Sequence, residues 1–207
     1  MKAWITAVKE ELRYIPLAAM VLLVSAVTAG FKADGLMMTL SQSGFLDALE
    51  QLAEAFEQNP TFLQVFFVIF INNVLATLQI IASGLFLGVG PFAAMLVHGI
   101  LIGVLTMEAA EKTGTHPLML VVTHLLPHGI FEIPALLIAA AFGFRISAAL
   151  FRRFLAVFSP ERMEASREEW LGIRRRLPHL LKLMFLLLLV AALIESALIV
   201  INISHLL

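Results

Sequence analysis

Residues 123–134 read Thr-His-Leu-Leu-Pro-His-Gly-Ile-Phe-Glu-Ile-Pro, and they bring His124, His128 and Glu132 together at spacings of four. On a helix, residues four apart share one face. Two imidazoles and a carboxylate on one face can hold a metal ion or pass a proton. Neutral imidazole with carboxylate suits zinc, iron, manganese or nickel. Pro127, Gly129 and Pro134 interrupt the same stretch. The two histidines are therefore expected on different helical pieces, which weakens a simple i, i+4 clamp. The order is not the His-Glu-x-x-His of zinc proteases, which need their glutamate beside the first histidine to activate water.

The setting makes these residues expensive. The chain has 207 residues, of which 60% are hydrophobic and 14% charged, and its mean hydropathy is +0.95. A soluble domain carries about 25% charged residues, so this composition is that of an integral membrane protein. An ionisable group inside a bilayer costs several kcal/mol, and it usually faces a bundle interior and has work there. The chain has no cysteine, which removes disulfides, thiolate ligands and thiol catalysis. Its basic residues sit among acidic ones on one short loop, so no nucleic-acid surface is expected.

A span needs about 20 apolar residues. The candidates are Leu12–Phe31, Thr61–Ser83, Pro91–Met107, Pro117–Phe151 and Leu181–Ile203. The fourth would measure roughly 50 Å as a straight helix at about 1.5 Å per residue, too long for a core of about 30 Å. The expected fold is an all-α polytopic membrane helix bundle of about five passes, with the fourth helix broken at Pro127–Gly129 into a half-helix Pro117–Pro127 and a following helix Gly129–Phe151, the pair being either one broken span or a re-entrant hairpin plus a span. Glu10 and Glu11 are unusual in a secretory n-region, and the first run is long for a signal peptide. It reads as a retained anchor.

Charge sets the expected orientation. Lys2, Lys9 and Arg13 precede the first span, and nine more basic residues run from Arg145 to Lys182. The 32–60 loop holds Asp34, Asp47, Glu50, Glu54 and Glu57 against Lys32 alone. The positive-inside rule places the amino terminus and the Arg-rich loop in the cytoplasm of a cell-membrane protein. The chain is thus one integral membrane domain, 1–207, with an extracytoplasmic 32–60 loop and a cytoplasmic Arg-rich helical loop at 152–181. Within the first loop, Phe45, Leu49, Leu52 and Phe56 mark an amphipathic helix over Gly44–Gln58. Asn59-Pro60 is expected to cap the second span. A second helix is expected from Pro160 towards Arg176, with Trp170 at the interface.

The polar residues inside the spans are few: Asn72, Asn73, His98, His124, His128, Glu132, Glu195 and Ser196. Counting about 1.5 Å per residue from the span ends brings Asn72, Asn73, His128, Glu132 and Glu195 near the midplane. Three segments delivering polar groups to one depth predict one cluster. Its metal ligands would be His128, Glu132 and Glu195, supported by Asn73, His98 and His124. The ion would be divalent, zinc-like, as a structural site or a cation pathway. A purely structural alternative is a polar clasp, since Asn, His and Glu hydrogen-bond across packed membrane helices at roughly 0.6–2 kcal/mol each. Nothing provides an activated water with substrate access, so no enzyme is expected.

Several of these strings resemble one family. Phe70-Ile71-Asn72-Asn73, Gly84, Gly88, His98-Gly99, Gly103, Pro127-His128-Gly129-Ile130-Phe131-Glu132-Ile133-Pro134-Ala135, Gly143 and Ile194-Glu195-Ser196-Ala197 are similar to the stage II sporulation protein M family. The resemblance covers most of the chain after residue 60. One departure is His98-Gly99, where the family pattern tends to have Asn-Gly; the swap adds a candidate ligand. The resemblance implies a multi-pass membrane protein. The sporulation member scaffolds peptidoglycan-degrading enzymes, so it also implies membrane or cell-wall-remodelling partners. The glycine-rich faces suit a homodimer, and a monomer or hetero-complex fits them as well.

Overall fold

The computed structural model describes residues 2–42 and 61–204, all but a few of them helical. The elements are α1 (Lys2–Glu11), α2 (Ile15–Phe31), α3 (Ala33–Gln42), α4 (Phe62–Ser83), α5 (Val89–Thr113), α6 (Pro117–Leu120), a π-helical stretch Val121–Leu125, α7 (Leu126–Leu155) and α8 (Pro160–Ser204). The amphipathic helix expected at Gly44–Gln58 lies outside the described residues. The protein is an all-α membrane bundle. Among the described residues, four helices are long and apolar enough to cross a bilayer, and α1 with α2, a pair bent by 64°, makes a fifth when taken as one span.

α7 forms the centre. From Ala135 to Phe144 its residues are apolar on every side, and Ala135, Ala139, Ala140, Ala141 and Phe142 are wholly buried. A helix apolar all round belongs inside a bundle. The small alanines let α2, α4, α5 and α8 approach it. Where α4 meets α7, the approach is backbone to backbone: a Cβ on Gly84 would lie 2.5 Å from the Gly143 carbonyl oxygen. Ser147 Oγ closes the same contact, 2.6 Å from the Gly84 carbonyl.

α2 and α5 run parallel in close contact. A Cβ on Gly99 would collide with the Ser25 hydroxyl and the Leu22 carbonyl, and one on Gly103 with the Ala26 carbonyl. Small residues at such steps let membrane helices pack by van der Waals contact, where burial of apolar surface gives no drive.

α4 begins two residues later than the Asn59-Pro60 cap predicts. Thr61 is the N-cap, in a reciprocal box with Gln64: Thr61 N–H donates to Gln64 Oε1 at 2.9 Å, and Gln64 N–H donates back to Thr61 Oγ1 at 3.4 Å. Threonine followed three residues on by glutamine satisfies two otherwise orphaned donors.

The fourth span departs from the expected break. The chain stays helical from Pro117 to Leu155 as one 39-residue element, with no separation at Pro127–Gly129. Pro127 instead sits in the first turn of α7, where its missing N–H leaves no bond unmade. The cost falls one turn earlier. Val121–Leu125 widens to π-helix, and Leu126 N–H reaches back five residues to the Val121 carbonyl. Such π turns often mark functional sites.

The Arg-rich loop and the fifth span are also one element. α8 runs 45 residues from Pro160 to Ser204 with Pro178 inside it. It packs antiparallel to α7, and Arg152 joins Glu169 across the pair at 2.5 and 2.9 Å.

Candidate metal centre

His128 and Glu132 lie one turn apart on the first turns of α7, and Glu195 faces them from α8. One ligand atom from each lies within 4.8 Å of the other two. His128 Nε2 stands 3.9 Å from Glu132 Oε2, with those side chains 14% and 24% exposed. Two carboxylates and an imidazole therefore share one half-buried spot. Among the described residues no lysine or arginine forms an ion pair with either carboxylate. Ligands of a tetrahedral zinc, at about 2.0–2.2 Å from the ion, stand roughly 3.4 Å apart. The triad's ligand atoms, within 4.8 Å of one another, are spaced somewhat wider than that.

His128 Nδ1 is buried and makes no hydrogen bond of good geometry; the carbonyl of His124, one turn back, is the backbone group that bears on it. That carbonyl belongs to the π-helical stretch.

His98 and His124 join the triad's surroundings without entering it. A cavity of about 560 Å³ between α5 and α6–α7 is lined by His98, His124, His128 and Glu132. Its other walls are mainly Leu101, Leu105, Leu120, Ile133 and Leu136. His98 Nδ1 lies 2.8 Å from the Ala94 carbonyl, which only accepts, so Nδ1 carries the proton. Thr123 donates to the Met119 carbonyl at 2.7 Å and so accepts from His124 Nδ1, also at 2.7 Å. Both rings thus keep Nε2 as the lone-pair nitrogen, the form a metal ligand or proton acceptor needs. Asn73 is half-buried on α4. Among the described residues it makes no hydrogen bond to the triad, so the structure leaves it a neighbour of the bundle core and no more.

One buried constellation has no counterpart in the sequence reading. Arg145 on α7 donates from Nε to Glu11 Oε2 at 2.7 Å and also bonds the Glu10 carbonyl oxygen. Arg176 on α8 reaches Glu10 at 3.4 Å and Glu11 at 3.7 Å. Glu11 is fully buried. Two acids on α1 thus neutralise two arginines on the same pair of helices that carries the triad. Glu10-Glu11 at an amino end with few acids was the one available signal.

The comparisons with known proteins agree with the fold. The profile of the stage II sporulation protein M family matches residues 8–198. The uncharacterized protein MJ0793 of Methanocaldococcus jannaschii is 36% identical over 75 residues, 36% of this chain and 41% of that protein. The chain thus matches about two-fifths of that relative's length. No solved structure matches it.

Proposed function

The chain belongs to the stage II sporulation protein M family, and from that premise we propose a multi-pass cell-membrane protein, with no reaction of its own, in which His128, Glu132 and Glu195 hold one divalent cation of the zinc class. The amino terminus and the Arg-rich half of α8 would face the cytoplasm. The carrying observation is the convergence of three ligand atoms from two helices within 4.8 Å, where among the described residues no lysine or arginine pairs with the carboxylates. A bound cation would supply that charge and fasten α7 to α8 at mid-bilayer. The residues' own part is to keep the two helices in register and to present one imidazole nitrogen and two carboxylate oxygens to the same point.

The site reads as a structural centre more than a route. The cavity beside it is walled largely by leucine and isoleucine. Such walls offer few oxygens to replace the hydration shell of a hard ion, which selective pores supply in rings.

The test is metal content of the protein purified in detergent without chelator, by mass spectrometry. About one ion per chain is expected for wild type, as one three-residue site per chain requires, with loss in Glu132→Gln and Glu195→Gln. A folded wild type free of metal would overturn the reading.

A second reading rests on α8. Its first half projects from the span with Arg167, Arg174 and Arg175 exposed, a surface suited to recruiting partners such as cell-wall-remodelling enzymes. Here the protein is a scaffold and the triad a polar clasp. Replacing those three arginines by glutamate would then abolish partner recovery with the bundle intact.

A further inference from the structure

A second site lies midway along α8, where its apolar half begins. Trp4 from α1 and Leu181, Lys182, Phe185 and Leu186 from α8 line a groove of about 390 Å³. Its lining residues are apolar apart from Lys182. Lys182 is the last charge on α8 before the uncharged run Leu183–Ile194, so it stands where the helix enters the bilayer. Phe185 and Leu186 lie one turn deeper and are 49% and 44% exposed. Among the described residues, neither the Lys182 ammonium nor the Trp4 indole N–H has a hydrogen-bond or ion-pair partner. One unpaired cation thus stands at the interfacial end of an otherwise apolar groove.

α1 is built to hold this position. It leaves the axis of α2 at 64°, so with α2 crossing the bilayer it lies nearer the membrane plane than its normal. Lys2 and Lys9 flank its apolar residues, the pattern of a helix resting at an interface. The Glu10–Glu11 contacts to Arg145 and Arg176 pin its far end to α7 and α8.

We infer that this groove binds an anionic phospholipid of the leaflet on the Arg-rich side, its phosphate on Lys182 and its acyl chain along Trp4, Phe185 and Leu186. Charge complementarity selects the anionic headgroup. The apolar continuation selects a lipid over free phosphate. Basic pockets between membrane helices at this face are suited to such headgroups, and tryptophan favours this depth.

Native mass spectrometry of the full-length protein, offered phosphatidylglycerol and phosphatidylcholine with matched chains, tests it. Wild type is expected to retain the anionic lipid by roughly fivefold over the zwitterionic one, as one basic side chain at the surface contributes. Lys182→Gln should erase that preference, Lys182→Arg should keep it, and Trp4→Ala should lower retention of both lipids. Lys9→Gln, on α1 but away from the groove, should change nothing. Equal retention of the two lipids by wild type, or an undiminished preference in Lys182→Gln, would overturn the proposal. So would displacement of the lipid by millimolar chain-free glycerophosphoglycerol, which would make this a free-phosphate site.

Discussion

Arg145 and Glu11 stand 134 positions apart in sequence and are joined in the bundle by a 2.7 Å bond from Nε to Oε2, with the two side chains 8% and 0% exposed. This pair ties a short amino-terminal helix to the central helix. It also explains how an acid and an arginine are tolerated beside an apolar core: each is the other's counter-ion.

Breaking the pair from one side should be costly. Glu11→Ala leaves a buried guanidinium with Glu10 alone, and a broken buried pair typically loses about 3–5 kcal/mol. The loss is expected at the lower end here, because Glu10 still faces Arg145 in Glu11→Ala and Arg176 still faces Glu11 in Arg145→Ala. Thermal unfolding in detergent should show Glu11→Ala and Arg145→Ala each strongly destabilised. The double variant Glu11→Met with Arg145→Met should recover part of the loss. Equal stability of the single variants and wild type would show that α1 is not anchored this way.

The glycines should divide into two classes. Gly99→Ala and Gly103→Ala place a methyl group against the α2 backbone, so they should lower stability by about 1–3 kcal/mol, as overpacking does. Gly129→Ala meets only side-chain atoms at 3.5 and 3.7 Å. It should be neutral or stabilising by about 0.5–1 kcal/mol through the better helix propensity of alanine. The melting temperatures of the three variants decide this, and destabilisation by Gly129→Ala would contradict the ordinary contacts seen at that position.

The histidines should not be equivalent. His128 belongs to the triad and His124 is exposed beside it. His128→Ala should lose bound metal, while His124→Ala should keep it near the wild-type level. Metal analysis of the two side by side makes the comparison, and parallel loss would extend the centre to His124.

Chelation should destabilise only proteins that have the centre. A ligand present at 100 times its dissociation constant stabilises the folded state by about 2.7 kcal/mol. Adding chelator should therefore lower the melting temperature of wild type but leave Glu195→Gln unchanged. An unchanged wild type would remove the cation from the account of stability.

Much of the architecture could be read from local pattern. Uncharged runs near 20 residues located the spans, because the bilayer imposes a length on each helix independently of its neighbours. Rise per residue placed His128, Glu132 and Glu195 at one depth, and the bundle does bring them together. The same arithmetic placed Asn73 there and could not exclude it, since depth says nothing about which way a side chain faces around a helix axis.

The break was misplaced for a related reason. Pro127 and Gly129 carry a strong local signal for helix ends, but backbone strain can be relieved anywhere within the preceding turn. Packing of a 39-residue element against α5 and α8 favours keeping it continuous and widening Val121–Leu125.

Composition and hydropathy by themselves determined that this is a helical membrane bundle carrying ionisable groups in its spans, because the solvent dictates both facts residue by residue. Which of those groups meet was decided by the tertiary structure alone. The triad, the Glu11–Arg145 pair and the Gly99–Ser25 contact all join distant parts of the chain. Their existence depends on the rotation and register of packed helices, which no local spacing encodes.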